Sequence, residues 1–450
     1  MTHRKILIAV SVALMAVISS VTGLNVAQPD LAAEFGVSQS TVLWIINVYV
    51  LTLSALLLPL GAVGDRRGRK PVLVAGLVVF GVSNVIAGVA QSVEVVLAAR
   101  VLSGIGAATI MPVTLAVITS TFPERERGRA IGVWTGVAGG GGLLGMFLSA
   151  VLVDWASWRY LFVLPVVLVI VALAMTVRSV PDSREAAEHP FDVVGSVLSG
   201  VAVAGLIFFL HEGSVISLVA GVAAGAAFVT WELRRSAPLL DVRLFRERGL
   251  ANGSTVLVTV FGVQAGVSIV LYPYFQTVLG WSGLLATVAL LPMAGSMMVA
   301  SGLAPRLAER IGPRATTATG IALGGAGLAL MAVLVSAGGY LAILPGMIAM
   351  GVGTGLSMPP ATEAITGALP RERQGVASAL NDVTRELGTA LGIAFLGALV
   401  ARTVDAGGSF VDGWRTAMWA GVAVMAVLLV TAVRAARATS PAGSHRTSSP

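Results

Sequence analysis

Val42–Val89 reads VLWIINVYVLTLSALLLPLGAVGDRRGRKPVLVAGLVVFGVSNVIAGV. Two runs without a charged residue, Val42–Gly64 and Pro71–Val89, flank the short segment Asp65-Arg66-Arg67-Gly68-Arg69-Lys70. About 20 apolar residues cross the hydrocarbon core of a bilayer as a helix. Lipid offers the backbone no hydrogen-bond partner, so an open-ended span must close its bonds within itself. The stretch therefore predicts two membrane helices joined by a tight, charged turn.

The same alternation continues in both directions. It predicts spans at Ile6–Val26, Val42–Val63, Val72–Val89, Val95–Thr119, Ala130–Leu152, Tyr160–Val177, Val193–Leu210, Ser214–Trp231, Thr255–Phe275, Leu284–Leu303, Ala315–Val335, Tyr340–Met358, Val376–Val400 and Thr416–Val433, fourteen in all. Gly280-Trp281-Ser282-Gly283 and Ser336-Ala337-Gly338-Gly339 supply turns inside two runs too long for one helix. The first span lacks a cleavage signature and reads as a retained helix.

Composition agrees. Of 450 residues, 11% are charged and 56% hydrophobic, and the mean hydropathy is +0.90; a soluble globular chain carries about 25% charge. The absence of cysteine excludes disulfides, thiolate metal sites and a thiol nucleophile. A net charge of +7 would suit a nucleic-acid-binding protein if it were spread over a surface. Instead, with the N-terminus inside, 24 of 29 Lys+Arg fall in inner segments and three (Arg159, Arg402, Arg415) in outer loops. This is the positive-inside bias, and six of eight tryptophans sit near the outer boundary as an aromatic belt. The basic balance thus reports topology and contact with anionic lipid rather than nucleic acid. Arg outnumbers Lys 27 to 2, which suggests a high-GC bacterial source. The expected location is a bacterial plasma membrane with both termini cytoplasmic.

The turn recurs. Asp65-Arg66-Arg67-Gly68-Arg69-Lys70 after span 2 and Glu309-Arg310-Ile311-Gly312-Pro313-Arg314 after span 10 share the pattern acid-Arg-x-Gly-x-base. They occupy the same place if spans 1–6 and 9–14 are two halves and spans 7 and 8 an insert. The expected fold is all-α and polytopic: a half at 1–178, a linker with two extra helices at 179–250, a half at 251–437 and a disordered Ser/Pro/Ala-rich tail at 438–450. Repeated halves of this kind form transporters with the substrate site between them. Arg67 and Lys70 read as topology signals. Asp65, Gly68 and Arg69 read as an inner gate, because topology needs no aspartate or glycine; Asp65 can accept from the positive end of a neighbouring helix. Arg66, Glu309 and Arg310 belong to the same two loops.

With these residues in place, the chain resembles the major facilitator superfamily, whose signature loop lies between helices 2 and 3. Arg100-Val-Leu-Ser-Gly104-Ile-Gly106 is similar to its second motif. Trp158-Arg159-Tyr160-Leu161-Phe162, Tyr272-Pro-Tyr-Phe275-Gln276-Thr-Val-Leu-Gly280, Leu291-Pro292 and Asn381-Asp-Val-Thr-Arg385-Glu386-Leu-Gly388 resemble segments of its fourteen-helix drug:proton antiporter branch. The resemblance implies multidrug efflux by a proton antiporter without a cofactor, with an arginine at position 100 assisting proton transfer. Two departures stand out. That branch has an aspartate five residues before the Asn of Asn-Val-Ala-Leu-Pro, where this chain has Ser20. Its antiporter motif on helix 5 has Gly-Pro and Gly-Gly, where this chain has Gly145-Met146 and Ser149-Ala150.

Charges at bilayer depth cost about 2.5–3.5 kcal/mol each and are functional by default. Arg100 in span 4 assists proton transfer or donates to backbone carbonyls of span 1. Span 13 holds Asp382, Arg385 and Glu386; the acids are i,i+4 and Arg385 is i+3 from Asp382. One acid lacks a local partner, which suits a proton carrier; a capping network at the helix end is the other reading. Ser20, Thr22 and Asn25 on span 1, Trp44 and Asn47 on span 2, Gln264 on span 9, and Tyr272 and Gln276 are candidate cavity residues, and polar ones also serve as interhelical glue. Gly136, Gly140, Gly141 and Gly145 predict close packing of span 5.

The expected function is a proton-coupled secondary exporter of small organic molecules working by alternating access, and no nucleotide loop, metal set or catalytic triad is visible. An uncoupled facilitator or metabolite exporter is the alternative, and a membrane enzyme or receptor a remoter one. No carboxylate lies near the midplane of spans 1 to 6, so neutral or weakly anionic substrates are expected over dications. The other expected partners are protons and the bilayer, and the expected state is a monomer.

Overall fold

The computed structural model describes residues 2–24, 27–155, 157–181, 191–236 and 238–437. Asn25 and the tail 438–450 lie outside them. The described residues form helices and turns with no strand among them. In chain order the helices are α1 (Thr2–Gly23), α2 (Gln28–Phe35), α3 (Gln39–Arg67), α4 (Arg69–Gly88), α5 (Val93–Thr121), α6 (Glu124–Trp155), α7 (Val163–Ser179), α8 (Val193–Glu212), α9 (Val215–Glu232), α10 (Arg248–Pro273), α11 (Gly283–Ile311), α12 (Pro313–Leu334), α13 (Tyr340–Thr366), α14 (Gln374–Asp405) and α15 (Phe410–Arg437).

Thirteen stretches are long and apolar enough to cross a membrane on their own. The fourteenth span is α6, which bends by 40° between Gly142 and Leu144. The run Gly139–Gly142 lies at the bend, and paired glycines are among the few causes of sharp kinks. The protein is a multi-pass membrane protein, and each predicted span corresponds to one helix. The short helix α2 was not predicted. It has a proline near its N-terminus, ends at left-handed Gly36 (φ +61°), and is tied to the segment after α6 through its own Glu34. The Glu34 carboxylate accepts from the Trp158 indole and, at 2.6 Å, from Arg159 Nη2.

Side-chain caps set several starts. Ser38 Oγ accepts from Thr41 N at 3.3 Å, Ser282 Oγ from Leu285 N at 3.3 Å, and Asp192 Oδ1 from Gly195 N at 2.8 Å. Each satisfies an amide that the helix itself leaves unpaired. The two repeated turns share one backbone geometry. Gly68 has φ +97° and ψ 137°, and Gly312 has φ +88° and ψ 151°. Each is the only residue between two long helices, in a conformation that a side chain disfavours. That is why both loops carry glycine at the same place.

The repeat extends to the packing. α3 packs on α5 as α11 does on α13, α4 on α5 as α12 on α13, α1 on α6 as α10 on α14, and α4 on α7 as α12 on α15. The two six-helix halves then meet through matching pairs, α3 with α14 and α11 with α6. The inserted helices α8 and α9 pack on each other, and α8 also lies against α3 and α14. Large apolar residues such as Val82, Ile170, Ile216 and Val427 remain exposed around the bundle. Water would penalise such a surface, whereas lipid accepts it.

Apolar burial gives little drive between helices in lipid, so contact rests on close packing and small residues. A Cβ on Gly61 of α3 would lie 2.5 Å from the Gly375 carbonyl of α14. On α6, Gly136 and Gly140 face Met298 of α11, Gly141 faces Met15 of α1, and Gly145 is buried. Thr135 and Ser301 share a 2.7 Å hydrogen bond across the α6–α11 seam, and Ser301 Oγ also donates to the Gly132 carbonyl at 2.8 Å.

Candidate functional site

The arginine-rich ends of α3, α11 and α13–α14 define one face of the bundle, called here the basic face. There Asp65, three residues from the end of α3, enters the N-terminus of α14. Its Oδ1 accepts from Gly375 N at 2.7 Å and its Oδ2 from Val376 N at 3.1 Å. These amides belong to the first turn of α14, which has no internal acceptors and carries the positive end of the helix dipole. Arg69 Nη2 bridges the same carboxylate, at 3.1 Å, and the Arg371 carbonyl, at 2.9 Å. Asp65 and Arg69 are i,i+4 across the Gly68 turn, and both are almost fully buried. Gln374 Nε2 fixes the partner segment by donating to the carbonyls of Thr366, Leu369 and Pro370. The result is a latch between the halves.

The other residues of the two loops are placed differently. Arg66 lies 5.4 Å from the ring centroid of Phe191, at the start of the insert. Glu309 and Arg310, which the repeat makes equivalent to Asp65 and Arg66, are exposed. The basic face has weaker ties as well: Arg371 approaches Glu124 at 3.8 Å with both side chains exposed. Glu363 is the fourth residue from the end of α13, where it faces Gly128 and the charge of Arg127.

Arg100 is completely buried in α5. Its Nε donates to the Ile45 carbonyl of α3 at 3.2 Å, and its Nη1 to Ser20 Oγ of α1 at 3.0 Å. Ser20 passes the interaction on, donating to Asn84 Oδ1 at 3.4 Å. The guanidinium lies 4.1 Å from the Tyr49 ring centroid, and Nη2 has no partner. The backbone carbonyl is thus on α3 rather than on span 1, and span 1 contributes a hydroxyl. Ser20, marked in the sequence as the place of a missing acid, is the side chain that Arg100 holds.

Asp382 on α14 is fully buried and accepts from Arg385 Nη1 at 3.3 Å; its Oδ2 has no partner. Arg385 faces two rings, Phe261 of α10 at 4.9 Å and Trp134 of α6 at 5.8 Å. Trp134 belongs to the other half and is itself pinned, its Nε1 donating to Thr114 Oγ1 at 3.1 Å. Glu386 is half-buried and lies in the field of both Arg385 and Tyr49. The two charge sites found separately in the sequence are linked electrostatically: Arg100 covers Tyr49, and Tyr49 lies within the field of Glu386. Such a network can bind a proton on a carboxylate and move an arginine between acid and aromatic partners.

The candidate cavity residues do not form one cluster. Ser20 sits with Arg100. The Thr22 side chain and Asn25 lie outside the described structure. Trp44 packs on Phe208 of α8 at 5.5 Å, and Asn47 is half-buried on α3. Gln264 Nε2 approaches Met297 Sδ at 3.3 Å while its Oε1 lacks a partner. Tyr272 Oη reaches the Gly283 carbonyl at 3.5 Å, and Gln276 is exposed where α10 ends in a π-helical turn. Sequence reasoning missed Asn84 and the Thr135–Ser301 pair; isolated polar residues in apolar helices carry no signal of their contacts. Among the described residues, no group of three or more His, Asp or Glu is placed to hold a metal.

Two repeated six-helix halves, meeting at a latched face with buried charges between them, define a membrane transporter rather than an enzyme. Residues 8–393 match the Major Facilitator Superfamily, and the chain belongs to it. Among its relatives, the multidrug resistance protein Stp of Mycobacterium tuberculosis is 30% identical over 415 residues, covering 90% of this chain and 77% of Stp. The methyl viologen resistance protein SmvA of Salmonella typhimurium is 33% identical over 405 residues, covering 86% and 80%. The crystal structure of the human organic anion transporter MFSD10 shares the fold, with a TM-score of 0.72, 15% identity and coverage of 96% and 100%.

Proposed function

We propose that this protein exports small organic molecules by proton-coupled alternating access. The observation that carries the reading is that α14 holds both the latch and the buried acids. Its N-terminus receives Asp65 of the first half, Arg69 ties that acid to the Arg371 carbonyl just before the helix, and two and three turns further on α14 carries Asp382, Arg385 and Glu386. Protonation of Asp382 removes its attraction for Arg385, which then leans on Phe261 and Trp134. A change in α14 at that depth is felt at its N-terminus, where the halves are held together. Loading and unloading of a proton thereby biases whether the basic face is shut. The relatives named for multidrug resistance support efflux of drug-like molecules.

The same reading takes 1–178 and 251–437 as the moving halves, 179–250 as the linker with its inserted helices, and the basic face as cytoplasmic in a bacterial plasma membrane, with both termini on that side and a monomer as the unit. It makes Asp65, Gly68 and Arg69 the gate, with Arg66, Glu309 and Arg310 at its rim. Ser20, Trp44, Asn47, Gln264, Tyr272 and Gln276 become cavity contacts when the halves part. Arg100 has Ser20 in place of a carboxylate, so the first half offers a cation little counter-charge. Neutral or weakly anionic substrates follow. SmvA is named for resistance to methyl viologen, a dication, and the absence of an acid on α1 is where this chain would differ in preference.

The test is transport in proteoliposomes with an imposed pH gradient and a panel of cationic, neutral and anionic compounds. Wild type should show gradient-driven movement. The Asp382→Asn, Glu386→Gln double variant should bind substrate and lose dependence on the gradient. Proton flux persisting in that variant would return α14 to a capping network. The second reading, an uncoupled facilitator, is favoured by Ser20; it requires wild-type flux that is indifferent to the pH gradient.

A further inference from the structure

We propose that the protein binds two anionic phospholipids at its basic face, one in each of two clefts related by the internal repeat. The first cleft lies among α3, α4 and α5, has a volume of about 670 Å³ and is walled by Leu60, Val63, Val72, Val79 and Ile105, with Arg66 and Arg67 at its end. The second lies between α11 and α13, measures about 680 Å³ and is walled by Val299, Leu303, Leu307, Val352 and Leu356, with Arg306 and Arg310 at its end.

The two clefts share four equivalent lining positions. Counting back from the turn glycines, Val63 and Leu307 are each five positions before Gly68 and Gly312, and Arg66 and Arg310 are each two before. Across from them, Ile105 and Thr109 on α5 repeat as Val352 and Leu356 on α13, again an i,i+4 pair. A packing defect has no reason to appear twice in the same register. The shape also selects its occupant. Walls such as Val299 (65% exposed) and Leu303 (47%) open sideways, toward acyl chains rather than water.

Charge supplies the other half of the argument. Each cleft ends in two arginines, and no acidic residue lines either one among the described residues. Arginine presents a planar fork that matches a phosphate, and basic pockets between membrane helices suit anionic headgroups. A free anion would leave the apolar walls unused, and a neutral acyl chain would make no use of the charge that Arg67, Arg306 and Arg310 bring to the cleft ends. A phospholipid fills both parts, and net negative charge distinguishes phosphatidylglycerol from a zwitterionic lipid whose ammonium meets only arginine. The inference concerns lipid binding and stands or falls apart from transport.

The experiment is reconstitution in bilayers of phosphatidylglycerol and phosphatidylcholine, followed by gentle extraction and native mass spectrometry. Two phosphatidylglycerol molecules should remain per chain, several-fold enriched over their share of the bilayer. Arg67→Gln and Arg306→Gln should each leave one, and the double variant none. Both side chains are exposed, so the fold should not change; equal melting temperatures in lipid-free detergent check this. Retained lipid that mirrors the bilayer composition, or single variants that still keep two, would overturn the proposal.

Discussion

Arg100 donates to the hydroxyl of Ser20 at 3.0 Å, and this hydroxyl is the only side-chain hydrogen-bond acceptor that the fully buried guanidinium meets among the described residues. A charge at that depth is held by two oxygens and an aromatic face rather than by a carboxylate. Ser20→Ala should leave Nη1 unpaired and cost about 1–3 kcal/mol, read as a lower melting temperature of the purified protein. Ser20→Asp should place an acid in contact with Arg100 and shift preference toward cations. A gain of about tenfold for a cationic over a neutral compound corresponds to ~1.4 kcal/mol; unchanged selectivity in the transport panel counts against the charge argument.

Asp65→Asn should abolish transport while leaving membrane insertion intact. The amide keeps one acceptor for the Gly375 amide, sets an N–H against Val376 N–H, and leaves Arg69 without its ion pair. Removing one member of a buried pair costs about 3–5 kcal/mol. The basic face should then open, and a thiol placed on α14 near Val376 should label faster than in the parent. Normal transport by this variant would reduce the loop to a topology signal.

Trp134 links the charge pair of one half to the other half. Trp134→Leu removes the ring beside Arg385, an interaction worth up to ~2 kcal/mol when desolvated, whereas Trp134→Phe keeps a ring. Transport driven by the pH gradient should fall strongly in the leucine variant and modestly in the phenylalanine variant, with substrate exchange at equal pH retained in both. Equal loss of exchange and gradient-driven transport would make Trp134 a packing residue only.

Glu34 gives a pH dependence outside the membrane spans. The Trp158 indole, and after it Arg159, hold its carboxyl below the usual value of 4.5. A depressed folded value means that the contact is fully present above the free-acid value and is lost as pH falls through the lowered one. The amides of α2 should stay protected from hydrogen exchange at neutral and mildly acidic pH and lose protection only in stronger acid. Glu34→Gln should expose them at pH 7; protection unchanged in that variant would assign the anchoring of α2 to other contacts.

Much of this was legible in the sequence, for local reasons. Hydropathy sets the spans, because each helix must satisfy lipid on its own. The placement of Asp65 at a helix N-terminus was legible too, since a turn that keeps an acid beside glycine asks for amide donors. The Arg100–Ser20 contact was not, as it joins positions 80 apart in the chain. Nor was the meeting of Trp134 with Arg385, which depends on how whole halves pack. The loop pattern was read as one device used twice. The structure shows Asp65 engaged and Glu309 exposed, although α6 packs on α11 as α14 packs on α3.

That inequality has a mechanical consequence. The α3–α14 seam is closed by charge that a proton can neutralise. The α6–α11 seam is closed by glycine packing and the neutral Thr135–Ser301 bond, which no change of pH releases. Under the proposed mechanism the halves would not separate like two parallel plates. They would swing as a door does: α6 and α11 would form the hinged edge, α3 and α14 the free one, and the widest opening for cargo would lie on the side where the inserted helices stand.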